Sequence, residues 1–586
     1  MTGSALPEPT SEPSEPLPPA FLDRLRGHLT ELYPERVDEV LPQLSDLVAS
    51  WRPRIPQPPA RVWDESDTLL ITYADQVRSE DGPPLEAIGA FLESESLGDC
   101  LSIVHLLPFS PYSSDDGFSV IDYREVDPNS GGWEDVARLA ERFRLMFDLV
   151  LNHASAQSAW FQGYLAGDEK YANYFIEADP SLDYSQVVRP RSLPLLTEFE
   201  TSRGPRHIWT TFSADQVDLN FAEPAVLLEM VDVLLEYASR GAQVVRLDAV
   251  GFLWKELGTN CMHLPQTHEA VKLLRTVLEA ASPATWILTE TNVPHDENVS
   301  YFGEGDEAQI VYQFSLPPLL LDAFTFGEAD ALMAWLAGLE STPPGTTFLN
   351  FTASHDGIGM RPLEGIVPQE RIDAIVESVK QKGGLVSTRR KPDGTDSPYE
   401  LNISYVDAMA PSSSDDAELH ARRFLSSQAV MLALRGIPAV YFHSLVGSRG
   451  DLEAGREIPR RINRKKLAAQ ELSQQIGDGG GLSAEIYQGY RHLLKTRRSV
   501  APFSPEADQT VLAGFDRRLI AFRRGSPEPA ERVLVLANTS EETVTVDAAS
   551  HASGPLHDLI SGRSISDAGD LTLAAGECVW LVSAAS

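Results

Sequence analysis

The chain has 586 residues and a formal net charge of −37, with 23% charged and 42% hydrophobic residues. That length accommodates a large core and more than one domain, and so acidic a surface argues against nucleic acid or an anionic membrane as a general partner. The three cysteines, Cys100, Cys261 and Cys578, are too few and too widely spaced for a disulfide framework or a CxxC metal site.

The first 20 residues are rich in Pro, Ser and Glu, and are expected to form a disordered tail rather than a signal peptide. With no apolar stretch of membrane-spanning length, a cytoplasmic location is expected. Residues 21–62 form an N-terminal extension. In it Phe21–Trp51 predicts one or two amphipathic helices, followed by a Pro-rich linker, Arg52–Pro59. Strands and helices then alternate. The strand candidates are Leu69–Tyr73, Ser102–Leu107, Leu145–Leu151, Gln243–Leu247, Trp286–Thr289, Ile310–Phe314, Phe348–Thr352 and Ala439–His443. Helical periodicity marks Trp133–Phe143, Ala225–Ser239, His268–Ala281 and Ala329–Leu339. Eight such strands predict an α/β fold, a (β/α)8 TIM barrel over about residues 63–504. About 90 residues separate the third and fourth strands and about 85 the seventh and eighth, far beyond ordinary connections. Two insertions are therefore expected over the catalytic face, at about 154–222 and 357–416. From residue 505 the pattern changes to short strands, at Val511–Phe515, Arg518–Arg523, Arg532–Ala537, Thr543–Val546 and Val579–Val582. These predict a C-terminal antiparallel β domain over 505–586.

Three apolar runs end in acids: Val245–Val250 with Asp248, Trp286–Glu290, and Phe348–Asp356 with His355 and Asp356. Charge at the tip of a buried strand is costly unless it is used or well paired. A single such acid is more often a cap or an ion-pair partner, and Asp148 reads that way. Arg246 lies two residues before Asp248 and so on the same strand face, where it is expected to keep that carboxylate ionised and nucleophilic. Glu290 has no cationic neighbour in sequence, which suits a general acid/base of raised pKa. Together the acids predict glycosyl transfer through an oxocarbenium-like transition state. No GxSxG, HExxH, P-loop or GxGxxG signature supports a rival chemistry.

Asn152-His153, Arg246-Leu247-Asp248-Ala249, Glu290 and His355-Asp356, in that order, resemble the four sequence regions of the α-amylase superfamily, glycoside hydrolase family 13. The resemblance implies Asp248 as nucleophile, Glu290 as acid/base and Asp356 as transition-state stabiliser, with Arg246, His153 and His355 holding the glucosyl unit or the nucleophile. Ile71–Asp75, His105–Phe109, Ser114–Phe118, Arg189–Arg191, Gly258–Cys261 and His355–Gly359 resemble the sucrose phosphorylase branch. That branch implies sugar-site roles for Asp115 and Phe118, and acceptor-site roles for Arg191 and Arg464. The N-terminal extension, Thr289–His295 and the loop Pro392–Asn402, which carries Tyr399, resemble the branch members that act on 2-O-α-D-glucosyl-D-glycerate. The resemblance thus implies small-molecule partners: glucosylglycerate, inorganic phosphate, glucose 1-phosphate and glycerate, with no cofactor and no metal. Both acceptors are anions and require cations, for which Arg191 and Arg464 are the candidates, while the basic run Arg389-Arg390-Lys391 reads rather as a solvated loop. The alternatives are phosphorolysis of sucrose, sucrose 6′-phosphate or glucosylglycerol, hydrolysis, and an inactive carbohydrate-binding barrel.

Overall fold

The computed structural model describes residues 15–59, 61–390, 395–412, 416–477, 479, 481–526, 532–547, 555–565 and 570–583. Eight parallel strands close into a barrel: β1 (Leu69–Thr72), β2 (Ile103–Leu106), β3 (Arg144–Val150), β4 (Ala242–Asp248), β5 (Trp286–Thr289), β6 (Ile310–Tyr312), β7 (Thr347–Asn350) and β8 (Ile437–Tyr441). Each pairs with its neighbours in sequence, and β8 closes on β1 through Leu69 and Ala439. Nearly every residue in these strands is buried, because helices cover the outside and side chains fill the inside.

Two helices precede the barrel, α1 (Pro19–Leu32) and α2 (Val37–Trp51). Leu25, Leu29 and Leu32 recur at helical spacing and are buried. The tail expected through residue 20 ends earlier, since Leu17 is already buried and α1 starts at Pro19; residues 1–14 lie outside the described residues. The pair packs on two outer helices, α3 (Pro224–Ser239) and α4 (Pro265–Ala281). Arg24 pairs with Glu279 at 2.6 Å, Trp51 Nε1 donates to Asp232 at 2.5 Å, and the Tyr33 hydroxyl donates to the Phe221 carbonyl at 2.7 Å. α3 leads directly into β4, so the extension braces the strand that carries Asp248.

The segment between β3 and α3 contains His153–Ser155 paired antiparallel with Gln216–Asp218, and a hairpin of Leu196–Thr201 and Gly204–Trp209. The segment between β7 and β8 contains a three-stranded sheet, Ile358–Gly359, Asp396–Asn402 and Leu385–Arg390, and the helix Gln369–Gln381. Both leave the barrel at strand C-termini. Of the second, residues 391–394, including Lys391 and Pro392, lie outside the described residues.

The C-terminal region is a six-stranded antiparallel sheet in the order Gln509–Val511, Leu519–Gly525, Arg532–Asn538, Cys578–Ser583, Leu556–Asp558, Ser564–Ile565. The first strand ends at Val511, where the sequence placed its start. A buried arginine of the sheet, Arg524, ties it to the barrel, and a second, Arg497, ties the preceding helix to the barrel and to the segment that leads into the sheet. Arg497 donates to the carbonyls of Leu432, Glu65 and Phe503, and Arg524 to those of Ala433, Ser504 and Ala507. Among the described residues no helix is long and apolar enough to cross a membrane.

Candidate active site

Register brings the acids together. β3 pairs with β4 so that Asp148 lies opposite Arg246, and β4 pairs with β5 so that Leu247 lies opposite Thr289. Glu290 follows Thr289, one step past the strand end and beside Asp248. Arg246 donates to Asp148, and to Asp248 at 2.8 Å; its second amino group is 3.9 Å from Glu290. His105 Nε2 bonds the other Asp148 oxygen at 2.6 Å. The Ala249 N–H donates to Glu290 at 3.0 Å, from a residue held at φ +49°, in the left-handed region that a Cβ disfavours.

Burial pushes the Asp248 carboxyl up to about 8, with Glu290 and Asp148 adding repulsion against the pull of Arg246. Burial raises Glu290 as well, against Arg246. Arg246 makes the contact with Asp248 that the sequence predicts, but not with that carboxylate alone. The guanidinium is shared with Asp148, which it and His105 hold below the usual range despite complete burial. The Asp248–Glu290 pair accordingly favours a retained proton at neutral pH.

Asp356 follows β7. Arg460 reaches it at 3.0 Å, Arg464 at 3.2 Å and His355 at 3.5 Å. The two guanidinium groups, Arg460 foremost, outweigh burial and hold Asp356 below the usual carboxylate range. His355 and His153 are pushed down by burial, to about 3 and about 4, so both are neutral at physiological pH. His153 donates from Nε2 to the Phe118 carbonyl at 2.9 Å. The Phe118 ring stacks on His355, with centroids 4.8 Å apart and planes 8° from parallel, so one of its faces is already covered.

Asp115, Phe118, His153, Arg191, Arg246, Asp248, Glu290, His355, Asp356 and Tyr399 all line one pocket at the barrel mouth. Arg191 comes from the first insertion, where it pairs with Asp115 at 2.7 Å, and Tyr399 comes from the second. Arg464 is different and corrects its expected place as an acceptor contact. Its side chain is only 2% exposed and is committed to Asp116 at 3.0 Å, Asp356 and the His355 carbonyl. It holds the floor in place instead of facing the pocket.

Several members of the cluster escaped the sequence. Arg460 lines the pocket and grips Glu400 through two bonds, at 2.9 and 2.5 Å, while touching Asp356. Its signal was the cationic density of residues 456–466 in a strongly acidic chain. Lys255 is buried and bridges Asn152 at 2.6 Å and Asp218 at 2.7 Å, tying the first insertion to the end of β3. Among the described residues no group of three or more His, Cys, Asp or Glu is placed to hold a metal ion.

A closed parallel barrel with three acids and their cations at its C-terminal mouth defines a glycosyl-transfer enzyme of the α-amylase type. Residues 101–343 match the alpha-amylase catalytic-domain family. A glucosylglycerate phosphorylase of Spirochaeta thermophila is 48% identical over 89% of this chain and 89% of its own length. That of Allomeiothermus silvanus is 49% identical over 85% and 89%. The crystal structure of sucrose 6F-phosphate phosphorylase from Thermoanaerobacter thermosaccharolyticum superposes with a TM-score of 0.70 at 25% identity, covering 81% of this chain and 94% of that one. The chain belongs to the glucosylglycerate phosphorylase family.

Proposed function

We propose that this enzyme catalyses reversible phosphorolysis of 2-O-α-D-glucosyl-D-glycerate to α-D-glucose 1-phosphate and D-glycerate. The observation that carries the chemistry is the juxtaposition of Asp248 and Glu290 on adjacent strands, with Arg246 reaching both. The relatives' activity supports the choice of substrate.

Asp248 attacks the anomeric carbon, and the bond to the glycerate oxygen breaks as Glu290 delivers its proton to that oxygen. The result is a β-glucosyl ester of Asp248. A phosphate oxygen then displaces Asp248 from the opposite face, and two inversions restore the α configuration. The shared, elevated protonation of the pair fits this division of labour, because one carboxyl must act as acid while the other attacks. Asp356, kept ionised by Arg460 and Arg464, stabilises positive charge developing on the sugar ring. Asp115 and the neutral His153 and His355 bind sugar hydroxyls, and Phe118 offers its free face to the sugar. Arg191 and Tyr399, from opposite insertions, close the acceptor side, and Arg464 acts by positioning Asp356. The soluble reactants are small molecules, and a cytoplasmic site would supply phosphate and glycerate together.

The test is incubation with glucosylglycerate and phosphate. Glucose 1-phosphate and glycerate in equal amounts are expected. Free glucose alone indicates a hydrolase, and no turnover indicates a binding protein. Faster release from sucrose than from glucosylglycerate replaces the substrate assignment.

A further inference from the structure

The cations of the pocket differ in how closely carboxylates match them. Arg246, Arg191 and Arg460 each contact at least one carboxylate at 3.0 Å or less. Arg361 has no carboxylate that near, and Arg389, which has one, lies close enough to add its own charge. Both line the same pocket as Glu290, on the wall formed by the second insertion. The Arg361 side chain is 13% exposed, and its ion-pair partner, Glu297, stands 3.9 Å away. The Arg389 side chain is 18% exposed and meets Glu364 at 2.6 Å. Each retains a buried Nε–H with no partner. They are near enough that Arg389, after burial, is the main influence holding Arg361 below its usual pKa. Two neighbouring guanidinium groups on one pocket wall, one of them without a close carboxylate, form a site that can take an anion.

A third unsatisfied group lies on the same pocket. Asn292, two residues beyond Glu290, has a buried Oδ1 with no partner. An amide oxygen accepts a hydroxyl proton. The three unsatisfied groups therefore present cationic donors for a carboxylate and an acceptor for an alcohol. That is the pattern of a short hydroxy acid, in contrast to a neutral polyol, which supplies no negative charge.

We infer that Arg361 and Arg389 form the anion-recognising wall of the acceptor site and take the acceptor's carboxylate, with Asn292 accepting a hydroxyl of the same molecule. This rests on the phosphorolysis reading above and names the residues that give it specificity. It also moves the task away from Arg464, whose donors are already occupied.

Inorganic phosphate shares the chemistry of a small oxyanion, so the experiment separates the two. α-D-Glucosyl fluoride loads the glucosyl-enzyme without any acceptor. The loaded enzyme is then offered D-glycerate and glycerol at equal concentration, and the two glucosides are quantified. Because both products arise from one intermediate, their ratio does not depend on how much enzyme is folded. Wild type should favour glycerate. Arg361→Gln and Arg389→Gln should each shrink that preference roughly 10- to 100-fold, the loss of one charge-assisted contact. Asn292→Ala should reduce transfer to both acceptors and leave the ratio nearer wild type. In a parallel arm the concentration of phosphate giving half-maximal glucose 1-phosphate formation is measured. If both arginine variants keep the wild-type ratio, the assignment is wrong. If the ratio holds while the phosphate requirement rises, the cations serve phosphate and the carboxylate assignment is likewise overturned. A wild-type enzyme that neither prefers glycerate nor phosphorolyses glucosylglycerate removes the functional reading as well. A wild-type preference that survives substitution removes only this inference.

Discussion

Asp248→Asn should make the protein more stable, and more so as pH rises. The carboxyl is 7% exposed, and burial raises its pKa to about 8 from an ordinary value of 3.8. An acid raised on folding binds its proton more tightly in the folded state than in the unfolded chain. Stability therefore falls with rising pH between about 4 and 8, and the full cost is present above that window. A shift of about four units sets a ceiling of about 6 kcal/mol. Two effects reduce the gain. Glu290 shares the proton and ionises more readily once Asp248 is neutral, and the bond from Arg246 becomes a weaker, charge-to-amide one. We expect about 1–3 kcal/mol at pH 8.5, or an increase in Tm of about 1–3 °C for a chain this long. At pH 5.5 the gain should be smaller. The assay is calorimetric melting of wild type and variant across that range. An equal gain at both pH values, or a loss at pH 8.5, would refute the argument that burial of charge at Asp248 costs stability.

Glu290→Gln should slow cleavage of glucosylglycerate by roughly 100-fold or more while slowing α-glucosyl fluoride far less, since fluoride departs with little acid assistance; equal losses in initial rate would remove Glu290 as the acid. Arg464→Ala should lower kcat for every donor and acceptor without altering acceptor preference, because Arg464 acts through Asp356 and the His355 carbonyl. A selective loss of glycerate transfer would return it to the acceptor site. Lys255→Met should cost about 1.5–3 kcal/mol by removing the ammonium partner of the buried Asp218 carboxylate, which keeps hydrogen bonds from Asn152 and Thr211. Chemical denaturation reads that loss directly, and a change under 1 kcal/mol would show that the bridge is unimportant.

The barrel was readable because its strands are buried on both faces and so form continuous apolar runs. All eight fall where those runs lie, with ends displaced by a residue or two. The acids were readable for a related reason, since a charge closing such a run is conspicuous. The small C-terminal strands were harder. Leu556–Asp558 and Leu571–Leu573 have three residues each, too few for an alternation to register. The partners of the acids were least visible. Arg460 meets Glu400 across 60 residues, and Arg464 meets Asp116 across 348. No local pattern encodes contacts that only barrel closure creates. Asp148 shows the opposite failure. It reads as an ordinary strand-end acid, yet the register places it opposite Arg246, where it competes with Asp248 for the same guanidinium.

The seam between the barrel and the C-terminal sheet has a consequence for how the molecule comes apart. Arg497 and Arg524 are solvated by peptide oxygens much as a cation is solvated inside an ionophore. Peptide oxygens neither titrate nor attract competing counterions, so acid and added salt act weakly on this seam while they erode carboxylate pairs at the surface. Prising the sheet away would strip Arg524 of the Ala433 carbonyl, while Arg497 would keep those of Leu432 and Glu65. Heat should therefore melt barrel and sheet in one event, and the sheet serves as a keystone of the barrel's far wall instead of an appendage.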